Sequence, residues 1–292
     1  MHPTIEQLLK HKPVVLDGAW GTQLQAQGLP IGANPDVWNL EHPERVEAVA
    51  RGYVEAGSEI ILTNSFGANR YILERHGLAE KVAEINRAGA EISKRACGGK
   101  ALVFGSMGPT GKILMMGDVT VEDMQEVFRE QAQALADGGA DGLLIETMSD
   151  LEEVKVAVAA ARTTGLPVAV SLVYDAGAEK DRTMMGVTPE RAAEELADSG
   201  IDVLGANCGQ GIAGFVKICQ RLHQASHLPV WIKANAGLPE MVDGKAVYRT
   251  SPAEFASHVE ALVQAGASFI GGCCGTSPDY IRALKQVLGA RE

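Results

Sequence analysis

The chain has 292 residues, 26 basic against 37 acidic, for a formal net charge of -11; that balance repels nucleic acid and anionic membrane surfaces and leaves small molecules or proteins as partners. Its length suits one large α/β domain, since a barrel of that class runs to about 250 residues before insertions. No apolar run reaches membrane-spanning length, and Met1 to Lys12 lacks the basic start and apolar core of a signal peptide, so the expected location is the cytoplasm.

From the N-terminus one unit repeats: a short apolar run, a polar or glycine-rich turn, then a longer stretch with helical spacing. The runs are Val14-Val15-Leu16, Ile60-Ile61-Leu62, Ala101-Leu102-Val103-Phe104, Leu143-Leu144-Ile145, Val168-Ala169-Val170, Val203-Leu204, Val230-Trp231-Ile232 and Phe269-Ile270. They are continuously apolar rather than alternating, as strands covered on both faces are. About eight such units predict a (β/α)8 TIM barrel, a single α/β domain over residues 1–292.

The junctions agree with that count. Ala56-Gly57, Gly138-Gly139, Ser199-Gly200 and Ala265-Gly266 read as helix ends, because glycine accepts the left-handed conformation there. Thr188-Pro189, Ser251-Pro252 and Ser277-Pro278 read as helix starts, and Asp150 with Glu153 has capping-box spacing. The long irregular segments 28–41, 105–120, 175–187 and 236–250 all follow a strand, on the barrel face where active sites lie.

Polar residues gather just after the strands: Asp17, Thr63-Asn64-Ser65, Ser106, Glu146-Thr147, Ser171, Asn207-Cys208, Lys233 with Asn235, and Cys273-Cys274. In a barrel they converge on one mouth. Five cysteines at uneven spacing make no disulfide framework. Cys97 and Cys219 lie in helical runs and read as small buried residues.

Cys273 and Cys274 are adjacent, and neighbouring Cα atoms about 3.8 Å apart make poor disulfides. Side chains on a continuing strand point to opposite faces, so both sulfurs reach one ion only if the strand has ended and the glycines around them turn the backbone. Cys208 would be the third ligand. Three thiolates favour a soft ion, zinc first, and leave a tetrahedral position open to an incoming thiol. Buried inert thiols or a redox pair are the alternatives. None of the seven histidines falls at a strand end.

Asp17 and Glu146 are carboxylates at strand ends, fit either to hold an ammonium group or only to cap and be solvated. The turn after Asp17, with Gly18 and Ala19 first and Gly21 and Thr22 next, offers backbone N–H groups for a carboxylate. Ammonium and carboxylate together describe an amino acid. Trp20, Trp38, Phe66 and Tyr174 either line the mouth and grip a cation or simply pack. Thr110-Gly111-Lys112 lacks the glycine spacing of a phosphate loop.

Read together, Asp17-Gly18-Ala19-Trp20-Gly21-Thr22, Thr63 to Asn69, Gly205-Ala206-Asn207-Cys208-Gly209 and Gly271-Gly272-Cys273-Cys274-Gly275-Thr276 resemble the zinc-dependent homocysteine S-methyltransferase family over nearly the whole chain. The resemblance implies zinc on Cys208, Cys273 and Cys274, homocysteine as fourth ligand, and Asp17 and Glu146 holding its amino group. It also implies that Asn235 can occupy zinc when substrate is absent. Thr63 to Asn69 and Asn34 to Asn39 look most like the homocysteine barrel of cobalamin-dependent methionine synthase. Gly67 stands where betaine-using relatives carry a donor-binding tyrosine, and Trp20 stands where methionine is common. With no folate barrel or corrinoid module after it, the chain is expected to take its methyl group from a separate corrinoid protein. A free methylsulfonium or related donor is the alternative, and a non-catalytic zinc or redox protein and a zinc hydrolase are the readings without methyl transfer.

Overall fold

The computed structural model describes residues 1–242 and 245–289. Its strands, in chain order, are β1 Val14–Val15, β2 Ile60–Leu62, β3 Leu102–Met107, β4 Gly142–Met148, β5 Val168–Leu172, β6 Val203–Gly211, β7 Val230–Asn235, β8 Glu240–Val242, β9 Lys245–Val247 and β10 Ala267–Gly272. Eight are parallel, in the order β1-β10-β7-β6-β5-β4-β3-β2, and a parallel bridge between Leu16 and Ile60 joins the two ends into a barrel. All eight expected runs are barrel strands. The antiparallel hairpin of β8 and β9 was not expected, because β8 is exposed along its length and carries no core pattern.

Side-chain alternation divides the strand residues between two cores. Inside the ring, Leu16, Leu62, Phe104, Leu144, Ala169, Val203, Trp231 and Phe269 form one fully packed layer. Trp231 fills its centre, stacked on Phe104 at 6.0 Å and tilted against Phe269 at 5.4 Å between ring centroids. The close approach of the Trp231 backbone requires Gly205 on the neighbouring strand, where a Cβ would stand 2.1 Å from the Trp231 carbonyl oxygen. The other strand face packs on the surrounding helices. The helix Val121–Asp137 shows how: Thr120 caps it by accepting from the Asp123 amide, and Met124, Val127, Phe128 and Leu135 make a buried stripe at helical spacing.

Thr188 and Ser251 accept hydrogen bonds from the Arg191 and Glu254 amides, as their spacing predicts. Gly57, Gly139, Gly200 and Gly266 take positive φ at the helix ends. The capping box at Asp150 is only half formed. Asp150 accepts from the Glu152 amide, but Glu153 turns away and accepts from the Thr110 amide at 2.7 Å and the Thr110 hydroxyl at 2.6 Å, tying down the loop after β3.

The segment after β1 is sewn to the end of β2. Asn39 donates to the Asn64 carbonyl at 2.6 Å, and Asn64 donates to the Pro35 carbonyl at 2.8 Å. Asp36 is caught within this seam. It is buried, and neither carboxylate oxygen finds a hydrogen bond of ordinary geometry. Burial pushes its pKa from an ordinary 3.8 up to about 7, opposed only by the nearby Gly67 amide. The folded protein therefore holds this proton more tightly than the unfolded chain does. The stabilisation is complete below the unfolded value and is lost as pH rises through the folded one, a change on the order of 4 kcal/mol. Urea denaturation at a series of pH values should show wild type losing stability relative to Asp36→Asn between about pH 4 and pH 8. Parallel curves would mean that Asp36 is not held protonated.

Candidate metal centre

Two residues beyond the apolar layer, on the same inward face of their strands, stand Ser106, Glu146, Ser171 and Lys233. This polar layer is the floor of the mouth. Above it the strands stop behaving regularly. The β4–β5 pairing shifts register between Ile145 and Met148, and the β6–β7 pairing shifts between Asn207 and Gly211. Within those irregularities Thr147 and Cys208 take left-handed φ values of 60° and 61°, which non-glycine residues seldom adopt. Such bulges re-aim side chains near functional sites.

The strand β10 ends at Gly272, and the chain turns at once, as two adjacent cysteines facing one point require. The Thr276 amide and hydroxyl both donate to the Cys273 carbonyl, and Gly275 has φ 81°. A Cβ on Gly275 would stand 2.2 Å from the Tyr248 ring, which packs over the turn. The Cys273 amide donates to the Ala234 carbonyl at 2.6 Å, and the Cys274 amide to Asn235 Oδ1 at 3.1 Å. Asn235 thus orders the cysteine turn.

The sulfurs of Cys208, Cys273 and Cys274 lie within 4.8 Å of one another, with 3.8 Å between Cys208 Sγ and Cys274 Sγ. Tetrahedral zinc with Zn–S bonds near 2.3 Å needs sulfurs about 3.8 Å apart, so the donor set fits a soft tetrahedral ion. The electrostatics agree. Hydrogen bonds from Cys273 and Cys274 hold the Cys208 thiol well below the usual range, while the same contacts push both partners up. Without a cation only one of the three ionises readily. Cys97 and Cys219 are buried elsewhere, and burial raises both thiols.

Glu146 is buried, with Oε1 accepting from the Ser106 hydroxyl at 2.5 Å and Oε2 from Asn207 Nδ2 at 3.4 Å. Burial raises its pKa, and the ammonium of Lys233 opposes that rise. Asn207 links the layers: it accepts from the Thr147 amide and the Ser171 hydroxyl, and its Nδ2 also lies 3.9 Å from Cys273 Sγ. Asp17 is engaged within the protein, accepting from Trp20 Nε1 and the Leu62 amide, both at 2.8 Å, and from Lys233 Nζ. The Ala19 amide donates to Thr276 Oγ1 at 3.1 Å, and the Ala19 carbonyl accepts from the Tyr53 hydroxyl. Gly18 lies against Tyr53 and Thr276, with no room for a Cβ.

The structure gathers Asp17, Gly18, Ala19, Glu146, Cys208, Asn235, Cys273 and Cys274 at one end of the barrel. Of the aromatic residues, Trp20 reaches Asp17 and Phe66 is exposed, whereas Trp38 and Tyr174 are buried. Trp38 does meet a cation, the protein's own Arg45, 5.1 Å from its ring centroid. Sequence reading gave Lys233 and Asn207 no role. The signal for Lys233 was its inward register, two residues past Trp231.

Residues 14–288 match the family model described as homocysteine S-methyltransferase. Methionine synthases of Mycobacterium leprae and Mycobacterium tuberculosis are each 32% identical over 95% of this chain, which spans about a quarter of their length, 24% and 25% respectively. The crystal structure of the homocysteine methyltransferase MmuM from Escherichia coli in metallated form superposes with TM-score 0.82 and 26% identity, covering 100% of both chains. The carboxyl transferase domain of Rhizobium etli pyruvate carboxylase shares the fold alone, at TM-score 0.56 and 14% identity over 98% of this chain and 48% of that one. The chain belongs to the homocysteine S-methyltransferase family.

Metal analysis of the purified protein should find about one bound soft divalent ion, lost or held far more weakly after Cys208→Ala, Cys273→Ala or Cys274→Ala. Cys97→Ala and Cys219→Ala should retain it. Near-normal affinity in all three mouth variants would rule the cluster out as the metal site.

Proposed function

We propose that this chain, acting as one barrel, transfers a methyl group to the thiol of homocysteine to give methionine, with zinc resident on Cys208, Cys273 and Cys274. The observation that carries this reading is the cluster of three sulfurs above a buried carboxylate, in a chain of this family. Zinc bound there lowers the pKa of an incoming thiol and presents it as a thiolate. The protein's own residues do the rest. Glu146, held by Ser106 and Asn207, takes the substrate ammonium. The apolar layer around Trp231 stops the barrel below it and keeps water from the floor. The thiol proton leaves to solvent on binding. A sulfur–carbon bond then forms as the donor–carbon bond breaks, its electron pair staying with the donor.

For the donor we favour a methylated corrinoid held by a separate protein over a free methylsulfonium. Supporting this, Ile31, Met115, Met116, Met184, Leu238 and Met241 are large apolar side chains exposed on the segments that follow the barrel strands, and a rim of this kind is what a protein partner covers. Family membership and the methionine synthase relatives support homocysteine as acceptor. Among the described residues no helix is long and apolar enough to cross a membrane, and a site of reduced thiols suits the cytoplasm.

Glu146→Gln should keep its zinc yet bind homocysteine about ten- to a hundredfold more weakly, the loss of one charge-assisted hydrogen bond of roughly 1.5–3 kcal/mol. The thiol 4-mercaptobutanoate has no amino group and should bind both proteins alike; equal losses for the two thiols would remove the anchoring role. Turnover of homocysteine should require a methylated corrinoid protein, and turnover with methylfolate alone would overturn the choice of donor.

A further inference from the structure

A divalent ion held by three thiolates leaves the site with net negative charge, and a fourth sulfur from an incoming thiol adds to it. Such charge at a half-buried site is costly unless hydrogen-bond donors reach the sulfurs. The protein places these donors sulfur by sulfur. Cys208 takes the Gly209 amide and the Asn235 side chain, and Cys273 has Asn207 Nδ2 at 3.9 Å. All of those donors sit on β6 or at the end of β7, strands that also carry the barrel. Cys274 is approached from elsewhere. Its donor is the hydroxyl of Tyr248, which follows β9 in the long segment after β7.

The geometry holds Tyr248 there. Its ring lies so close over the cysteine turn that a Cβ on Gly275 would stand 2.2 Å from it, and the side chain is half-buried with its phenol facing the sulfurs, Cys274 first. The chain is fastened on both sides of it. Before Tyr248, β9 pairs with β8; after it, the Thr250 amide donates to the Ala236 carbonyl at 3.2 Å and the Thr250 carbonyl accepts from the Tyr280 hydroxyl at 2.6 Å. A phenol is protonated at neutral pH and meets a thiolate as a donor. We infer that Tyr248 donates a hydrogen bond to the Cys274 thiolate and thereby tunes the metal centre. The bond favours thiolate over thiol at Cys274, which strengthens metal binding. It also draws electron density off that sulfur, which leaves the ion a stronger Lewis acid toward the incoming thiol. Tyr248 is thus a positioning residue that acts through Cys274 and does not touch the substrate. The assignment rests on the reading that the three cysteines hold a metal.

The test compares wild type with Tyr248→Phe, which keeps the ring over Gly275 and removes only the hydroxyl. Both proteins are loaded with cobalt(II), which accepts the same tetrahedral thiolate set as zinc and gives a sulfur-to-metal charge-transfer absorption. Without the hydrogen bond the sulfur is a better electron donor, so the band should move to longer wavelength, and zinc affinity measured by competition with a chelator should fall by about tenfold. Incorporating 3-fluorotyrosine in place of Tyr248 supplies a more acidic phenol of nearly the same shape, and should move the band the other way. If Tyr248→Phe does not fold, the direction of the fluorotyrosine shift decides. A band that stays in place in both proteins, or moves the same way in both, would overturn the assignment and leave Tyr248 a packing residue, even if zinc affinity fell. Wild type that binds neither cobalt nor zinc would instead overturn the metal reading beneath it.

Discussion

The site depends on a span. In the sheet β7 lies between β6 and β10, and with parallel strands roughly 4.8 Å apart the backbones carrying Cys208 and Cys273 are separated by about twice that distance. Their sulfurs can converge only by leaning together over the end of the intervening strand. Each neighbour concedes something to permit it. The strand β6 breaks register and holds Cys208 at a left-handed φ, β10 stops at Gly272 and turns, and β7 ends in Asn235, whose Oδ1 takes the Cys274 amide. The backbone strain at Cys208, of order 1–3 kcal/mol for such a conformation, is tolerated because hydrogen bonds on both sides fix the strand ends.

Below that span the protein changes from oil to charge within one step along the strands. Phe104, Trp231 and Phe269 close the ring, and the next inward positions are Ser106, Lys233 and the end of β10. Charges on such a floor are poorly screened, so each is paired or braced: Asp17 with Lys233, Glu146 with Ser106 and Asn207. The apolar layer makes these polar contacts strong by keeping water out, and the polar contacts hold the strand ends that the sulfurs need. Packing and chemistry are thus consecutive layers of one stack.

The parts legible in the sequence are those written in local pattern. Continuous apolar runs such as Val168-Ala169-Val170 marked the strands, and the paired cysteines among glycines announced a turn that the structure supplies. The hidden parts are pairings across great sequence distance. Lys233 meets Asp17 216 positions away, and Glu153 reaches Thr110 43 positions back instead of completing its capping box. Ring closure brings Asp17 to Lys233, and packing of the loop after β3 on the helix after β4 brings Thr110 to Glu153. The bulges were hidden for another reason: Thr147 and Cys208 take conformations usually announced by glycine, yet neither is glycine.

The layer around Trp231 also makes the barrel a cup with one opening. Under the proposed function acceptor, donor and product all use that opening, and the donor, being a protein, covers it. Homocysteine must then be seated before the donor arrives, and methionine leaves only after the donor has gone. With a protein donor of the kind proposed, the one-ended cup would make the order of arrival and departure compulsory. A high donor concentration would trap finished product underneath it, so turnover would pass through an optimum instead of saturating.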